Sequence, residues 1–163
     1  MTQLCNAEVM KKVKLLEQDK MNLLAEESRQ NQVTYQNEGD KFDFGYSFSL
    51  TREKVSHIDA EIRKLKSLLN YSNATTMVDG FDMTLGECLV YLAQLTNEKY
   101  LVENLAQQEA IVSRTTMGGK IEYTALNYDL AEAKQRVAWV NETIARLQIA
   151  IDRTNLMNMI EVK

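Results

Sequence analysis

Proline is absent from the 163 residues, cysteine occurs twice, histidine and tryptophan once each, and glycine six times. With no proline to break them, helices can run long, and so few glycines leave little room for disordered low-complexity stretches. Cys5 and Cys88 stand far apart, outside any CxxC or Cys/His grouping. That excludes a zinc ribbon and a dithiol redox motif, and leaves two reduced thiols of a cytoplasmic protein. A surplus of positive charge is also missing: 19 Lys and Arg face 23 Asp and Glu, giving a net charge of -4. Such a chain offers no general field to phosphate backbones or anionic lipid, so nucleic acid is not expected as a partner. The longest weakly charged stretch, Ser67 to Val78, is mostly polar. It falls well short of the roughly 20 apolar residues of a membrane-spanning helix, so integral membrane association is not expected. Lys11 and Lys12 precede any apolar run at the N-terminus, unlike a secretory signal. Without one, the Asn-x-Ser/Thr triplets at Asn70, Asn73 and Asn141 read as chance matches to a glycosylation pattern.

What is present is a helical chain. Hydrophobic residues make up 45% and charged residues 26%, the balance of a folded protein, and the length suits a single helical domain spanning residues 1–163. Five of the glycines fall in three short regions, Gly39 and Gly45, Gly80, and Gly118 with Gly119. The stretches between read as helices over about 4–29, 52–70, 85–112 and 130–155. In the first, Val9, Val13, Leu16, Leu23 and Leu24 form a stripe that Lys20 interrupts. In the second, Val55, Ile58, Ile62, Leu65 and Leu69 recur at spacings of 3, 4, 3 and 4, and Val137, Val140, Ile144, Leu147 and Ile151 do the same in the fourth. That period keeps one coiled-coil-like seam turned toward a partner helix. The third opens on Thr84 and Glu87, spaced for a capping box, with Met83 and Cys88 placed as a hydrophobic staple. Narrow apolar stripes cannot stand alone in water. The fold class is therefore all-α, either an antiparallel four-helix bundle or a pair of long helical hairpins.

The connections predict short β-hairpins. Asp79-Gly80, between Thr76 and Met83, fits a type I′ turn, and Gly118-Gly119 centres a second hairpin over Arg114 to Tyr123. Phe42, Phe44, Tyr46 and Phe48 alternate with Asp43, Gly45 and Ser47, a period of two that places four rings on one face of a strand, with Val33 and Tyr35 as its opposing arm. In an up-down-up-down order the first and third connections share an end of the bundle, where their ribbons are expected to meet in one sheet. The rings either cap the bundle end or form a surface for a partner protein or a second copy. Near the C-terminus, Met157, Met159, Ile160 and Val162 read as a packing or exchanged tail.

No catalytic site is legible. His57 is a lone helical histidine with no triad to join, the carboxylate pairs Asp59/Glu61 and Glu26/Glu27 lack a di-iron Glu-x-x-His pattern, and Gly118-Gly119-Lys120 is not a phosphate loop. Lys11, Lys12, Lys14 and Arg63, Lys64, Lys66 are followed by acids on the same helices and read as locally paired. No catalytic, cofactor or metal residue is assigned. Polar loop residues such as Asn73 and Asp79 are the only basis for an enzyme reading.

Leu69-Asn70, Ser72-Asn73-Ala74-Thr75, Asp79-Gly80, Met83-Thr84-Leu85-Gly86-Glu87, Tyr128-Asp129-Leu130 and Ile151-Asp152-Arg153-Thr154-Asn155 together resemble a family of small, uncharacterised bacterial helical proteins often labelled septicolysin. The resemblance covers about 95 residues and marks Asn70, Asn73, Asp79, Gly80, Thr84, Glu87 and Asn155 as turn and cap positions. It implies a helical bundle or coiled coil with self-association, and brings no catalytic residues. The first connection, where the aromatic run replaces a polar, acidic stretch, and Leu156, which stands in place of an aromatic, depart from the family pattern. The expected function is a non-enzymatic, self-associating scaffold or interaction module whose partner is itself or another protein. The alternative, implied by the label, is a membrane-acting cytolysin.

Overall fold

The computed structural model describes residues 2–162. They are mainly helical, with short antiparallel strand pairs, and divide into two compact units: residues 2–76 with 155–162, and residues 77–154.

The first unit starts with strand β1 (Thr2–Cys5) and helix α1 (Asn6–Gln30), and holds helix α2 (Phe48–Thr75) and the C-terminal strand β4 (Met159–Val162). Leu4, expected in the first helix, belongs instead to β1, which pairs antiparallel with β4 so that Leu4 lies opposite Ile160. Pairing wins because it turns Leu4, Ile160 and Val162 onto the helix seam, where Val9, Val13, Ile62 and Leu65 make the core with Leu16, Ile58, Leu68 and Leu69 around it. The Glu8 carboxylate accepts a hydrogen bond from the Cys5 N–H at 2.8 Å, which fixes where α1 begins. α1 and α2 are antiparallel, laced by Lys12–Glu61 (2.9 Å), Lys20–Asp59 (2.7 Å) and Lys66–Glu17 (2.7 Å). These pairs cross between helices, which corrects the expectation of pairing along each helix. They also explain Lys20, which interrupts the apolar stripe of α1: its ammonium reaches Asp59 on α2.

A polar cluster closes this unit. Asn6 is fully buried. Its side-chain oxygen accepts hydrogen bonds from Ser72 Oγ (3.0 Å) and Asn158 Nδ2 (3.1 Å), and its amide donates to Asn155 Oδ1 at 3.3 Å. Asn158 Nδ2 also donates to Ser72 Oγ at 2.8 Å, and the Asn6 N–H reaches the Asn158 carbonyl at 3.2 Å. One buried amide thus joins the start of α1, the end of α2 and the C-terminal segment.

The second unit holds α3 (Leu85–Ala106), strands β2 (Ile111–Thr115) and β3 (Ile121–Ala125), and α4 (Leu130–Met157), whose residues from Asn155 onward belong to the first unit. Its core is Val78, Leu85, Cys88, Leu95, Leu147 and Ile151, with Met83, Leu92 and Ile144 against it. The capping box is formed: the Glu87 carboxylate accepts from the Thr84 N–H at 2.7 Å, and Thr84 Oγ1 accepts from the Glu87 N–H at 3.3 Å. Burial pushes the Cys88 thiol above its ordinary pKa, with the Glu87 charge adding to it, so Cys88 is a packed, protonated thiol.

Three expectations about the connections are corrected. The third helix ends at Ala106 rather than near residue 112, because 111–115 is taken into the β2–β3 ribbon. The Asp79-Gly80 turn is closed by the Phe81 N–H on the Val78 carbonyl at 3.1 Å. Positive φ occurs at Gly80 (79°) and not at Asp79, as in a type II turn rather than I′. The single bridge Met77 to Thr84 is all the hairpin it supports. The shared sheet between the first and third connections is not formed: among the described residues the sheets are two-stranded, β1 with β4 and β2 with β3.

Replacing Asn6 with Ala leaves the Ser72 hydroxyl without its acceptor and the Asn155 side-chain oxygen without its donor around a buried gap, with the Asn158–Ser72 hydrogen bond remaining. It is expected to lower the unfolding free energy by about 1–3 kcal/mol, read by thermal or urea denaturation. Asn73→Ala, on the same helix as Ser72 but outside the cluster, is expected to stay within about 0.5 kcal/mol of the parent.

Candidate functional site

The connection between α1 and α2 carries the aromatic run. Asp43 Oδ1 accepts a hydrogen bond from the Gly45 N–H at 2.7 Å, and Gly45 sits at φ 66°. That local turn ends the extended path, since few residues other than glycine adopt positive φ without strain. Two residues on, Ser47 caps α2, with its hydroxyl near the Leu50 N–H at 3.5 Å, so Phe48 becomes the first helical residue. The expected aromatic strand is therefore a loop. No opposing arm forms at Val33 and Tyr35, and Lys41 instead stands 5.6 Å over the Tyr35 ring.

The four rings consequently separate. Phe42 and Phe44 meet edge to face, with centroids 4.8 Å apart, and Phe42 remains 63% exposed. Phe48, 65% exposed, lies beneath the Arg52 guanidinium at 5.4 Å. Tyr46 turns back, and its hydroxyl donates to Glu27 Oε1 at 2.7 Å. Arg52 pairs with the other Glu27 oxygen, while Arg52 Nε is buried with no hydrogen-bond partner among the described residues. The Tyr46 hydrogen bond, helped by Arg52 and opposed by burial, holds the Glu27 carboxyl below the usual carboxylate range. In return, the hydrogen bond to Glu27 pushes the Tyr46 phenol above its ordinary value, and burial adds to the shift. Glu27 thus ties the end of the loop and the first turns of α2 to α1.

Beside this tie, the α1–α2 seam opens. Leu23, Leu50 and Ile58 line an apolar groove of about 600 Å³ with Glu53, Lys54 and His57 on its rim. A smaller recess of about 260 Å³, bordered by Phe44, Tyr46 and Glu27, adjoins it. This loop and groove can bind apolar side chains. Among the described residues no group of three or more His, Cys, Asp or Glu side chains is placed to hold a metal, and no helix is long and apolar enough to cross a membrane.

The other sequence-marked positions scatter. Asn70 is exposed and Asn73 half-buried on α2, Asp79 and Gly80 form the surface turn, and Thr84 with Glu87 caps α3. Only Asn155 enters a convergent arrangement, the cluster around Asn6. Sequence reasoning missed Asn6 and Asn158, since a buried asparagine carries no local signal of its burial. It also missed the bareness of β2–β3.

No model of a known protein family matches the chain, and no curated protein matches it by sequence. A solved structure does. A crystal structure of a functionally unknown conserved protein from Corynebacterium diphtheriae superposes with a TM-score of 0.68 at 17% identity, covering 98% of this chain and 100% of that one. The fold is shared. At that identity the likeness speaks for the fold alone.

Tyr46→Phe removes the largest influence holding the Glu27 pKa down, and a carboxyl ¹³C titration should show that pKa rising toward its ordinary value while Arg52 keeps part of the shift. A lowered folded-state pKa stabilises the protein above the ordinary carboxylate range and loses that stabilisation as pH falls through the folded value. Acid unfolding of Tyr46→Phe should therefore differ less from its neutral-pH stability than that of the parent. An unmoved Glu27 titration would contradict this assignment.

Proposed function

We propose that this protein is a non-enzymatic, self-associating helical module of the cytoplasm, its helix pairs packed along coiled-coil-like seams. The observation that carries the reading is surface area. The chain exposes 12159 Å². A compact protein of this mass exposes about 8,300 Å², and even two separate bodies of half the mass would expose only about 10,000 Å² together. Much of the surplus is apolar. Leu89, Val90, Tyr100 and Leu101 stand exposed along α3, as do Phe42, Phe44 and Leu50 in the first unit, where Leu50 lines the groove and Phe44 the adjoining recess. Exposed apolar patches of this kind mark association surfaces. Kinship with the septicolysin-labelled family belongs to the same proposal. In its support, Ser72 and Asn155 of the resembling blocks share hydrogen bonds with the one buried Asn6.

Sedimentation velocity at micromolar concentration is expected to give a mass of at least two chains, against 18.7 kDa for one. A monomer across the concentration range would overturn the reading. Leakage of dye from liposomes by that monomer would favour the membrane-acting alternative.

A further inference from the structure

The β2–β3 ribbon is built and then left bare. Its register is regular, Ile111 opposite Ala125, Ser113 opposite Tyr123 and Thr115 opposite Ile121. The turn is well formed, with the Thr116 N–H on the Lys120 carbonyl at 2.8 Å and Gly119 at φ 71°. Its base is tied by the Leu126 N–H on the Ala110 carbonyl at 3.1 Å and by the Tyr128 hydroxyl on the Leu105 carbonyl at 2.7 Å. Yet every residue of both strands is exposed. A lone two-stranded ribbon is marginal in water, because it lacks a buried face to offset the entropy of ordering it.

Its two faces differ. Side chains alternate along each strand, so Ile111, Ile121 and Tyr123 share one face with Ser113, Thr115 and Ala125. The other face carries Val112, Thr124 and the Arg114–Glu122 ion pair at 3.3 Å. On the apolar face Ile111, Ile121 and Tyr123 are 65%, 59% and 70% exposed.

We infer that this face binds the same face of a second copy, ribbon against ribbon about a two-fold axis, as the anchor of a larger interface between chains. The inference rests on the self-association proposed above and names the contact that drives it. Two arguments select a second copy as occupant. The whole chain carries a net charge of -4 and is repelled by its own copy. Between Glu109 and Ala125, however, Arg114 and Lys120 balance Glu109 and Glu122, which makes the ribbon a locally neutral place where like chains can meet. A partner recruited by charge would want the opposite, a ribbon of one sign. The surplus surface also suffices: an obligate interface between copies covers about 1,000 Å² or more on each chain, which is less than the excess. Tyrosine flanked by branched aliphatic side chains is the composition of an interface anchor.

The test compares Ile121→Lys/Tyr123→Lys, on the apolar face, with Val112→Lys/Thr124→Lys, which adds the same charge to the opposite face. The apolar-face variant is expected to associate at least about 100-fold more weakly in sedimentation equilibrium, with helix content by circular dichroism unchanged. The control is expected to keep the parent's mass. As a second readout, Tyr123→Cys should oxidise to a disulfide-linked dimer, and Val112→Cys should not. An apolar-face variant that keeps the parent's mass, with no Tyr123→Cys dimer, overturns the ribbon contact and leaves self-association standing. A parent chain that is monomeric throughout overturns both.

Discussion

A layer two helices thick hides one seam per helix and no more, and this constraint shapes the molecule. In each unit the buried residues fall along a single line: Val9 and Val13 against Ile62 and Leu65 in one, Leu85, Cys88 and Leu95 against Leu147 and Ile151 in the other. Burying a side chain of this size is worth about 1.5–3 kcal/mol, so a single line of them stabilises a helix pair only modestly. What the seam leaves over must either be polar or find a second layer. α1 and α2 take the first course, covering the flanks of their seam with the ion pairs of Lys12, Lys20 and Lys66. α3 takes this course only in part: Gln94, Asn97 and Asn104 are exposed, and Leu89, Val90 and Leu101 are exposed with them.

Because the seams are thin, the ends of the helices need separate fastening. Asn6 fastens one end of the first unit through three side chains, and β1 with β4 adds a strand pair whose inward residues extend the seam. Glu27 fastens the other end, holding Tyr46 and Arg52 where the aromatic loop meets α2. The Phe42–Phe44 pair stays in water beside an open groove, while Tyr46, one alternation further along, is drawn back to α1. A single carboxylate draws that one ring back.

Much of this was legible from periodicity. The repeats of Ile58, Ile62 and Leu65 and of Val140, Ile144 and Leu147 mark the faces that are covered, and Thr84 with Glu87 marks where α3 starts. These are local signals with local causes. Three features lay beyond them for physical reasons. The alternation of Phe42 to Phe48 has the period of a strand, but a strand requires a partner, and the Gly45 turn and the Ser47 cap act within two or three residues while no partner arrives. β1 and β4 are four-residue segments at opposite ends of the chain, too short to show a period and paired across its whole length. The role of Asn6 depends on Ser72, Asn155 and Asn158, which only the fold brings near.

Under the proposed self-association, the surface too large for its mass, the neutral ribbon bare on both faces and the exposed Leu89, Val90 and Leu101 of α3 have one cause, and another copy of the chain supplies the cover they lack. If association completes the fold, folded-state stability must depend on how much protein is present. The most direct measurement is the thermal unfolding midpoint at two protein concentrations a hundredfold apart. A linked dimer gains about 2.7 kcal/mol over that range, about 1.4 kcal/mol per chain, so the midpoint should rise by roughly 3–5 °C for a chain of this size. An identical midpoint at both concentrations would show that the thin layers are stable alone, contradicting the account.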